Sequence, residues 1–431
     1  MATRKASLAA LAELEQTQWY SREEILRLQW DRLRRLVDHA YKTVPYYRAL
    51  FRRLGIKPDS LRDSGDFSRL VPALSKTDIQ REGDALRSEA PGPYPRMSRT
   101  SGSTGTPTTI WSDAVSSSYG YAGGLRGRRW WGVDVCAPEL KFWGVSAPFE
   151  RTFRGKALSY GKWLKDWLLL TTVVSPFDSS EERFRKVHGL LLRKRPELVF
   201  GYGVAIYLFA KFIRDAALPL GGWRPKVVIY TSESLHRSQK EVIEEVFGTR
   251  LVCEYGCVES GVLGYECEAG RIHLSEEVAC FEVEPETGEL LITPLMNLTF
   301  PLLRYRIGDV VEVAPDDCPC GRQLLALRRI VGRDNDLVRR PGGQVVHAEL
   351  FDYVMRQQPG VRRYRVVQKR IDALEVLLET DGTISSDQVE LLKGVLLEHV
   401  GREFFIEAHV VSRIPNDPSG KFRWVISEVS A

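Results

Sequence analysis

Between residues 20 and 55, Leu26, Leu28, Leu33, Leu36 and Val37 recur at helical spacing, with Arg32, Arg34 and Arg35 among them and Pro45 as an interruption. Gly, Ser, Thr and Pro crowd the stretch 91–113 (PGPYPRMSRTSGSTGTPTTIWSD), and short β-prone pieces flank it, which predicts strand, loop, strand. From 116 to 250 apolar runs alternate with helical ones. LVFGY (198–202) and KVVIYTSE (226–233) read as buried strands, Ser180–Arg195 and Ser238–Phe247 as helices. That alternation predicts an α/β domain with a mostly parallel sheet. Over 277–315 short strands alternate with turns: EVACFEVE, PETGE, LLITPL. The last hundred residues hold short strands (YRVVQK, LEVLLET, FIEAHVV) and two helical stretches, about 347–358 and 386–399, the pattern of a small separate α+β domain.

Composition narrows the class. Of 431 residues, 43% are hydrophobic and 27% charged, enough apolar side chain for a packed core and too much for a disordered chain. The net charge of +5 is accounted for by residues 1–60, where 12 Lys/Arg face 7 Asp/Glu. A nucleic-acid binder calls for a denser basic face with interleaved aromatics, so no nucleic-acid partner is expected. No apolar run reaches the ~20 residues of a membrane helix, and the opening MATRKASLAALAELEQ lacks the apolar block of a signal peptide. The expectation is a cytoplasmic protein without a membrane partner. Seven cysteines, an odd number in a long chain, argue against a disulfide framework and turn attention to metal.

Four motifs carry candidate chemistry. In Arg99-Thr100-Ser101-Gly102-Ser103-Thr104-Gly105-Thr106-Pro107, small residues let backbone N–H groups approach phosphate oxygens; it is not a Walker A loop, since no Gly-Lys-Ser/Thr follows. In Glu254-Tyr255-Gly256-Cys257-Val258-Glu259 an aromatic ring, a tight glycine and an acid suit a nucleotide with a hard cation. Arg304-Tyr305-Arg306-Ile307-Gly308-Asp309 places an acid after a Gly turn, where it can accept two hydroxyl hydrogen bonds. Pro418-Ser419-Gly420-Lys421 offers a lysine on a Gly- and Pro-containing loop. Singly, each reads as easily as a surface loop, a surface Glu beside a core Tyr, a turn, or an exposed Lys.

A fifth pattern is Cys267-x₅-His273 followed by Cys318-Pro319-Cys320-Gly321. Three thiolates and one imidazole suit tetrahedral Zn²⁺. The plainer reading is small buried cysteines and a turn, with Cys253, Cys257 and Cys280 as alternative ligands. His39, His188, His236, His347, His399 and His409 read as structural, and Trp130, Trp131 and Trp143 as core.

In this order and at these separations the motifs resemble the adenylate-forming superfamily, and within it the phenylacetate–CoA ligase branch with its CapK-like members. The opening LQWDRLRRLVDHAYKTVPYYRALFRRLGI and LVPALSKTDI (70–79) are similar to that branch, as are TSGSTGTP, Tyr230-Thr231-Ser232-Glu233-Ser234, EYGCVES, RYRIGD, the hinge-like GRDND (332–336) and the final SGKFR. The resemblance implies a large N-terminal adenylation domain, 1–332 with a helical start over about 1–90, and a small mobile C-terminal domain, 333–431. It implies Mg²⁺ and ATP as cofactors and a small carboxylic acid as substrate. The acid would be activated to an acyl-adenylate with release of pyrophosphate, then transferred to CoA. An amine acceptor (an amide ligase) is the alternative, and a catalytically silent nucleotide binder a third reading that Glu259, Asp309 and Lys421 together argue against.

Residue by residue, the resemblance implies that Ser101, Gly102, Ser103, Thr104 and Gly105 hold the phosphates. Tyr255 and Gly256 would lie against adenine beside Ser232 and Glu233, Asp309 would hold the ribose, and Glu259 the Mg²⁺. Arg333 would contact the nucleotide at the hinge, and Lys421 would neutralise developing charge. A similar Cys/His arrangement in the branch supports structural zinc at Cys267, His273, Cys318 and Cys320. Two features depart from the pattern: Asn335 stands where the hinge usually has Asp, and 143–175 replaces a Gly-rich segment. Since 143–175 should line the acyl pocket, phenylacetate itself is not the expected substrate.

Overall fold

The computed structural model describes residues 2–99, 108–143, 170–175, 180–333, 338–342, 345–346, 348–355, 358, 360–380, 382, 384–416 and 422–429. The predicted helical start holds five α-helices, Ala2–Thr17, Arg22–Thr43, Pro45–Leu54, Ser64–Leu70 and Lys76–Glu82. Ser21 caps the second with a reciprocal Ser21–Glu24 pair, and Pro45 opens the third, where its missing N–H costs nothing. The hairpin β1 (Arg96–Arg99) and β2 (Thr109–Ser112) brackets the Gly/Ser/Thr loop, with Arg99 opposite Thr109. The loop itself, Ser101 to Gly105 included, lies outside the described residues.

Next come β3 (Glu139–Phe142), β4 (Thr171–Val174), β5 (Leu198–Tyr202), β6 (Val227–Thr231) and β7 (Leu251–Cys257), parallel in the order β4-β3-β5-β6-β7. The helices Glu181–Lys194, Gly203–Asp215 and Arg237–Phe247 connect them, as the alternating pattern predicts. After β7 the sheet continues antiparallel through β8 (Gly261–Glu266), β9 (Ile272–Leu274), β10 (Ala279–Val283), β11 (Glu289–Pro294), β12 (Tyr305–Val313) and β13 (Ala326–Arg333). The eleven-stranded order is β10-β11-β12-β13-β9-β8-β7-β6-β5-β3-β4, so the sheet is mixed. The change of sense has a local cause. The β7–β8, β8–β9 and β10–β11 links are too short for a crossover, and turn on Gly261 (φ 77°), Gly270 (φ 76°) and Gly288 (φ 71°), left-handed positions that favour glycine.

Beyond β13, β14 (Val338–Arg339) pairs with β15 (Val345–Val346), and a second sheet forms from β16 (Val361–Arg370), β17 (Ala373–Thr380), β18 (Phe405–Val411) and β19 (Val425–Ser427), in the order β18-β17-β16-β19. Helices Ala348–Met355 and Ser386–Val400 accompany it. This is the small C-terminal α+β unit that the final hundred residues predict. Among the described residues no helix is long and apolar enough to cross a membrane.

The N-terminal helix is tied to the sheet by a buried ionic node. Arg126, on the helix Ala114–Trp130, donates to Glu277 at 2.5 Å, to the Ser275 hydroxyl at 3.0 Å and to the Leu14 carbonyl at 3.2 Å. Thr17 donates to the same Glu277 carboxylate at 3.1 Å. Both partners are all but inaccessible, and their pairing and hydrogen bonds offset the cost of burying the two side chains. The helix Ala114–Trp130 can lie tight on the sheet because Gly123, Gly124 and Gly127 face it; a Cβ at Gly127 would fall 2.1 Å from the Tyr265 ring.

Candidate active site and cysteine–histidine cluster

The predicted site residues that the structure describes converge at the ends of β6, β7 and β12. Tyr255 is buried on β7 and its hydroxyl donates to the Asp309 carboxylate at 2.6 Å. Asp309 stands on β12 directly opposite Arg333 on β13, so two distant motifs meet as a cross-strand pair. Tyr305, four residues before Asp309, donates its hydroxyl to Glu259 at 3.2 Å. The glycine of the Tyr-Gly pair is sterically required. The β7–β8 register shifts between Tyr255 and Gly256, and a Cβ on Gly256 would sit 2.5 Å from the Gly261 carbonyl oxygen.

At the end of β6 the chain turns through Ser232, whose φ of 70° is a left-handed conformation that few non-glycine residues adopt. The turn aims Glu233 back across β5. There its carboxylate accepts from the Val204 N–H at 2.8 Å, an otherwise unpaired donor in the first turn of the helix Gly203–Asp215. Its other oxygen accepts from the Phe422 N–H of the C-terminal unit at 2.7 Å. The Tyr364 hydroxyl lies 3.5 Å from His236 Nε2, and Trp424 packs against the same imidazole, extending that contact. Lys421 and the hinge residues Asp334, Asn335 and Asp336 lie outside the described residues, as do 144–169 of the segment expected to line the acyl pocket. Of Arg333 only the backbone is described.

The sequence motifs give no role to the Glu233 carboxylate, Tyr305 or Glu254, and His236, which reads as structural, meets Tyr364 of the C-terminal unit. Tyr305 and Glu254 stand inside quoted motifs, and strand alternation was the signal for Glu254: Tyr255 faces one side of the sheet, so Glu254 must face the other. Burial raises the Glu254 carboxyl above its ordinary 4.5; the charges of Arg128 and Lys141 oppose this and that of Glu139 adds to it.

Cys267, His273, Cys318 and Cys320 do come together, from the β8–β9 turn, β9 and the Cys318–Gly321 turn, with all four donor atoms within 4.8 Å of one another. The Sγ atoms of Cys267 and Cys318 are 3.6 Å apart, and Cys320 Sγ is 3.2 Å from His273 Nε2. His273 Nδ1 faces the Leu324 carbonyl at 3.1 Å, which makes it the protonated nitrogen and leaves Nε2 free to ligate. Burial pushes His273 down to about 4, toward the neutral form a metal requires. Arg322, two residues past Cys320, lies over Trp130 at 4.1 Å and Trp19 at 4.9 Å, so the cluster is also tied to the end of the helix Ala114–Trp130 and to the turn after the first helix.

A family model described as the CapK C-terminal domain matches residues 337–428. Protein CapK of Staphylococcus aureus is 22% identical, the match spanning 94% of this chain and 90% of that protein. A phenylacetate-coenzyme A ligase of Thermus thermophilus is 24% identical over 82% of this chain and 80% of its own. The crystal structure of a 2-hydroxyisobutyryl-CoA ligase, in the postadenylation state in complex with R3-HIB-AMP, superposes with a TM-score of 0.72 at 19% identity, covering 96% of this chain and 91% of that one.

The Glu254 environment predicts a pH signature. A carboxyl whose folded-state value is raised costs no stability below its unfolded value of about 4.5; the cost develops as pH rises through the folded value. Glu254→Gln should therefore be more stable than the parent near neutral pH and match it below about pH 4.5. Denaturant midpoints across that range check this, and a difference that does not vary with pH contradicts it.

Proposed function

The chain belongs to the phenylacetate–CoA ligase and CapK-like branch of the adenylate-forming superfamily, and from that premise we propose that it activates a carboxylic acid with ATP and transfers the acyl group to CoA. In the first step an oxygen of the acid attacks the α-phosphorus of ATP, the bond to the leaving pyrophosphate breaks, and an acyl-adenylate forms. In the second the CoA thiol attacks the acyl carbon, AMP leaves, and the thiol proton passes to solvent. The protein supplies position and charge rather than a covalent nucleophile. The observation that carries this reading is the meeting of Tyr255, Asp309 and the Arg333 backbone at one sheet end, with Glu259 tied alongside by Tyr305.

In this reading Tyr255, Gly256 and the Ser232–Glu233 turn receive the adenine, Asp309 the ribose, and Ser101, Gly102, Ser103, Thr104 and Gly105 the phosphates. Arg333 contacts the nucleotide where domains 1–332 and 333–431 join. Lys421 neutralises the charge that develops at the α-phosphate. The half-buried Glu259 offers hard oxygen donors suited to Mg²⁺, which when bound would screen the phosphate charge. The Phe422 N–H on Glu233 is the contact through which the residue following Lys421 is held at the nucleotide site. Release of that contact would let the small domain turn and admit the acceptor, a conformational gate. The acid is taken to be other than phenylacetate, because 143–175 departs from the branch.

The donor set at Cys267, His273, Cys318 and Cys320 fits Zn²⁺. Tetrahedral zinc with bonds to sulfur of about 2.3 Å sets thiolates about 3.8 Å apart, close to the 3.6 Å between Cys267 and Cys318. Zinc there would be structural, joining β8, β9 and the turn before β13.

Lys421→Ala should lower acid-dependent ATP–pyrophosphate exchange by ~10²–10³-fold or more, while preformed acyl-adenylate still yields acyl-CoA. Near-normal exchange would remove the lysine from the reaction. Mass spectrometry of a reaction offered CoA and amines together should find acyl-CoA; a dominant amide would overturn the acceptor. Protein purified without chelator should carry about one zinc per chain, and Cys318→Ser/Cys320→Ser should lose both the metal and stability. Elemental analysis finding no zinc refutes the site.

A further inference from the structure

One buried row of polar side chains crosses four neighbouring strands. Tyr202 on β5 stands opposite Thr231 on β6, Thr231 opposite Glu254 on β7, and Glu254 opposite Tyr265 on β8. Residues directly opposite on adjacent strands project from the same face. Elsewhere that face is apolar, built from Leu198, Phe200, Val227, Ile229 and Val252. The four are only 6, 6, 9 and 2% exposed, so water does not serve them freely.

Two of the four lack a hydrogen-bonding partner. The Tyr265 hydroxyl is buried with none among the described residues. No hydrogen bond to the Glu254 carboxylate is found among the described residues; burial and the charges of Arg128, Lys141 and Glu139 act on it. A carboxylate held mostly out of water without a hydrogen bond from its neighbours costs free energy that a strand of Val and Ile would avoid. The helix above faces it with Gly124, where a Cβ would already stand 3.5 Å from the carboxylate. The helix thus brings hydrogen where any longer residue would cover the acid.

The row lies one residue before the turn and the ring assigned to the nucleotide, Ser232 just past the end of β6 and Tyr255 on β7. An acid that attacks the α-phosphate must sit beside the nucleotide, and this face is the one Tyr255 does not occupy. Trp143, stacked on Tyr202 at 4.7 Å, continues the row as an aromatic wall. Nearby charge balances, since Arg128 and Lys141 offset Glu139 and Glu254. The missing partner is therefore a neutral donor, a hydroxyl, rather than an ammonium.

We propose that this row is the floor of the acid pocket and that Glu254 with Tyr265 selects a hydroxylated carboxylic acid. The substrate hydroxyl, remote from the reacting carboxylate, donates to Glu254 and accepts from the Tyr265 hydroxyl. The assignment rests on the adenylation reading above and deepens it by naming the substrate class.

ATP–pyrophosphate exchange on the full chain tests it, with matched acids differing by one hydroxyl: phenylacetate and para-hydroxyphenylacetate, benzoate and meta-hydroxybenzoate, and an alkyl pair. The wild type should favour the hydroxylated member of at least one pair by roughly tenfold or more in kcat/KM, because a site built to bond a hydroxyl rejects its absence. Glu254→Leu should level that preference by losing kcat/KM for the hydroxylated acid roughly tenfold more than for the parent; Tyr265→Phe should fall between. Equal use of both members by the wild type, a preference for the aminated analogue, or an equal loss of both acids in Glu254→Leu would overturn the assignment while leaving adenylation intact. Exchange with no acid at all would overturn the adenylation reading, and this one with it.

Discussion

The Glu233 carboxylate is the constraint on which the arrangement of the site depends. One oxygen holds Val204 at the start of a helix of the large sheet, and the other holds Phe422 of the small one. Both bonds are to main-chain N–H groups, so they fix backbone rather than a mobile side-chain tip, and an ionised acceptor makes them strong. The left-handed Ser232 exists to aim that carboxylate. A local backbone cost next to β6 is thereby exchanged for a defined position of the C-terminal unit, the usual place for such strain being a functional site.

The second organising feature is the change of sense at β7. Its neighbour β6 is parallel and β8 antiparallel, so β7 is where crossover topology ends and hairpin topology begins. Both faces of this strand are used. Tyr255 reaches Asp309 on one side, and Glu254 looks toward Gly124 on the other. The cysteine–histidine cluster supports both from behind: it joins the β8–β9 turn to the segment before β13 and, through Arg322, clamps Trp130 at the end of the glycine-faced helix. The buried Arg126–Glu277 node secures the same helix nearer its middle.

Much of this was legible in the sequence. Buried parallel strands announce themselves as apolar runs, and LVFGY and VVIYT do so because both their faces are covered. The C-terminal strands and helices fall within a few residues of their predicted bounds, since alternation and caps such as Ser385 are local signals. The cysteine–histidine set was legible because metal ligation demands few residue types. The antiparallel half was less so, for its sense is decided by turn length and glycine rather than by strand composition. Least legible were contacts between segments distant in sequence. Nothing local in TSES says that Glu233 reaches Phe422, and nothing in EYG alone says that Glu254 meets Thr231 and Tyr265 in register.

The most direct test of the account separates the two half-reactions in Glu233→Gln. The amide keeps size and shape but offers one neutral acceptor where the carboxylate offers two, so one of the two N–H groups is left facing an NH₂ donor. The account predicts a slower rate of adenylate formation in a single turnover, with transfer from preformed acyl-adenylate to CoA unchanged, because only the first step needs the small domain held at Phe422. Equal slowing of both half-reactions, or no effect on either, would contradict it.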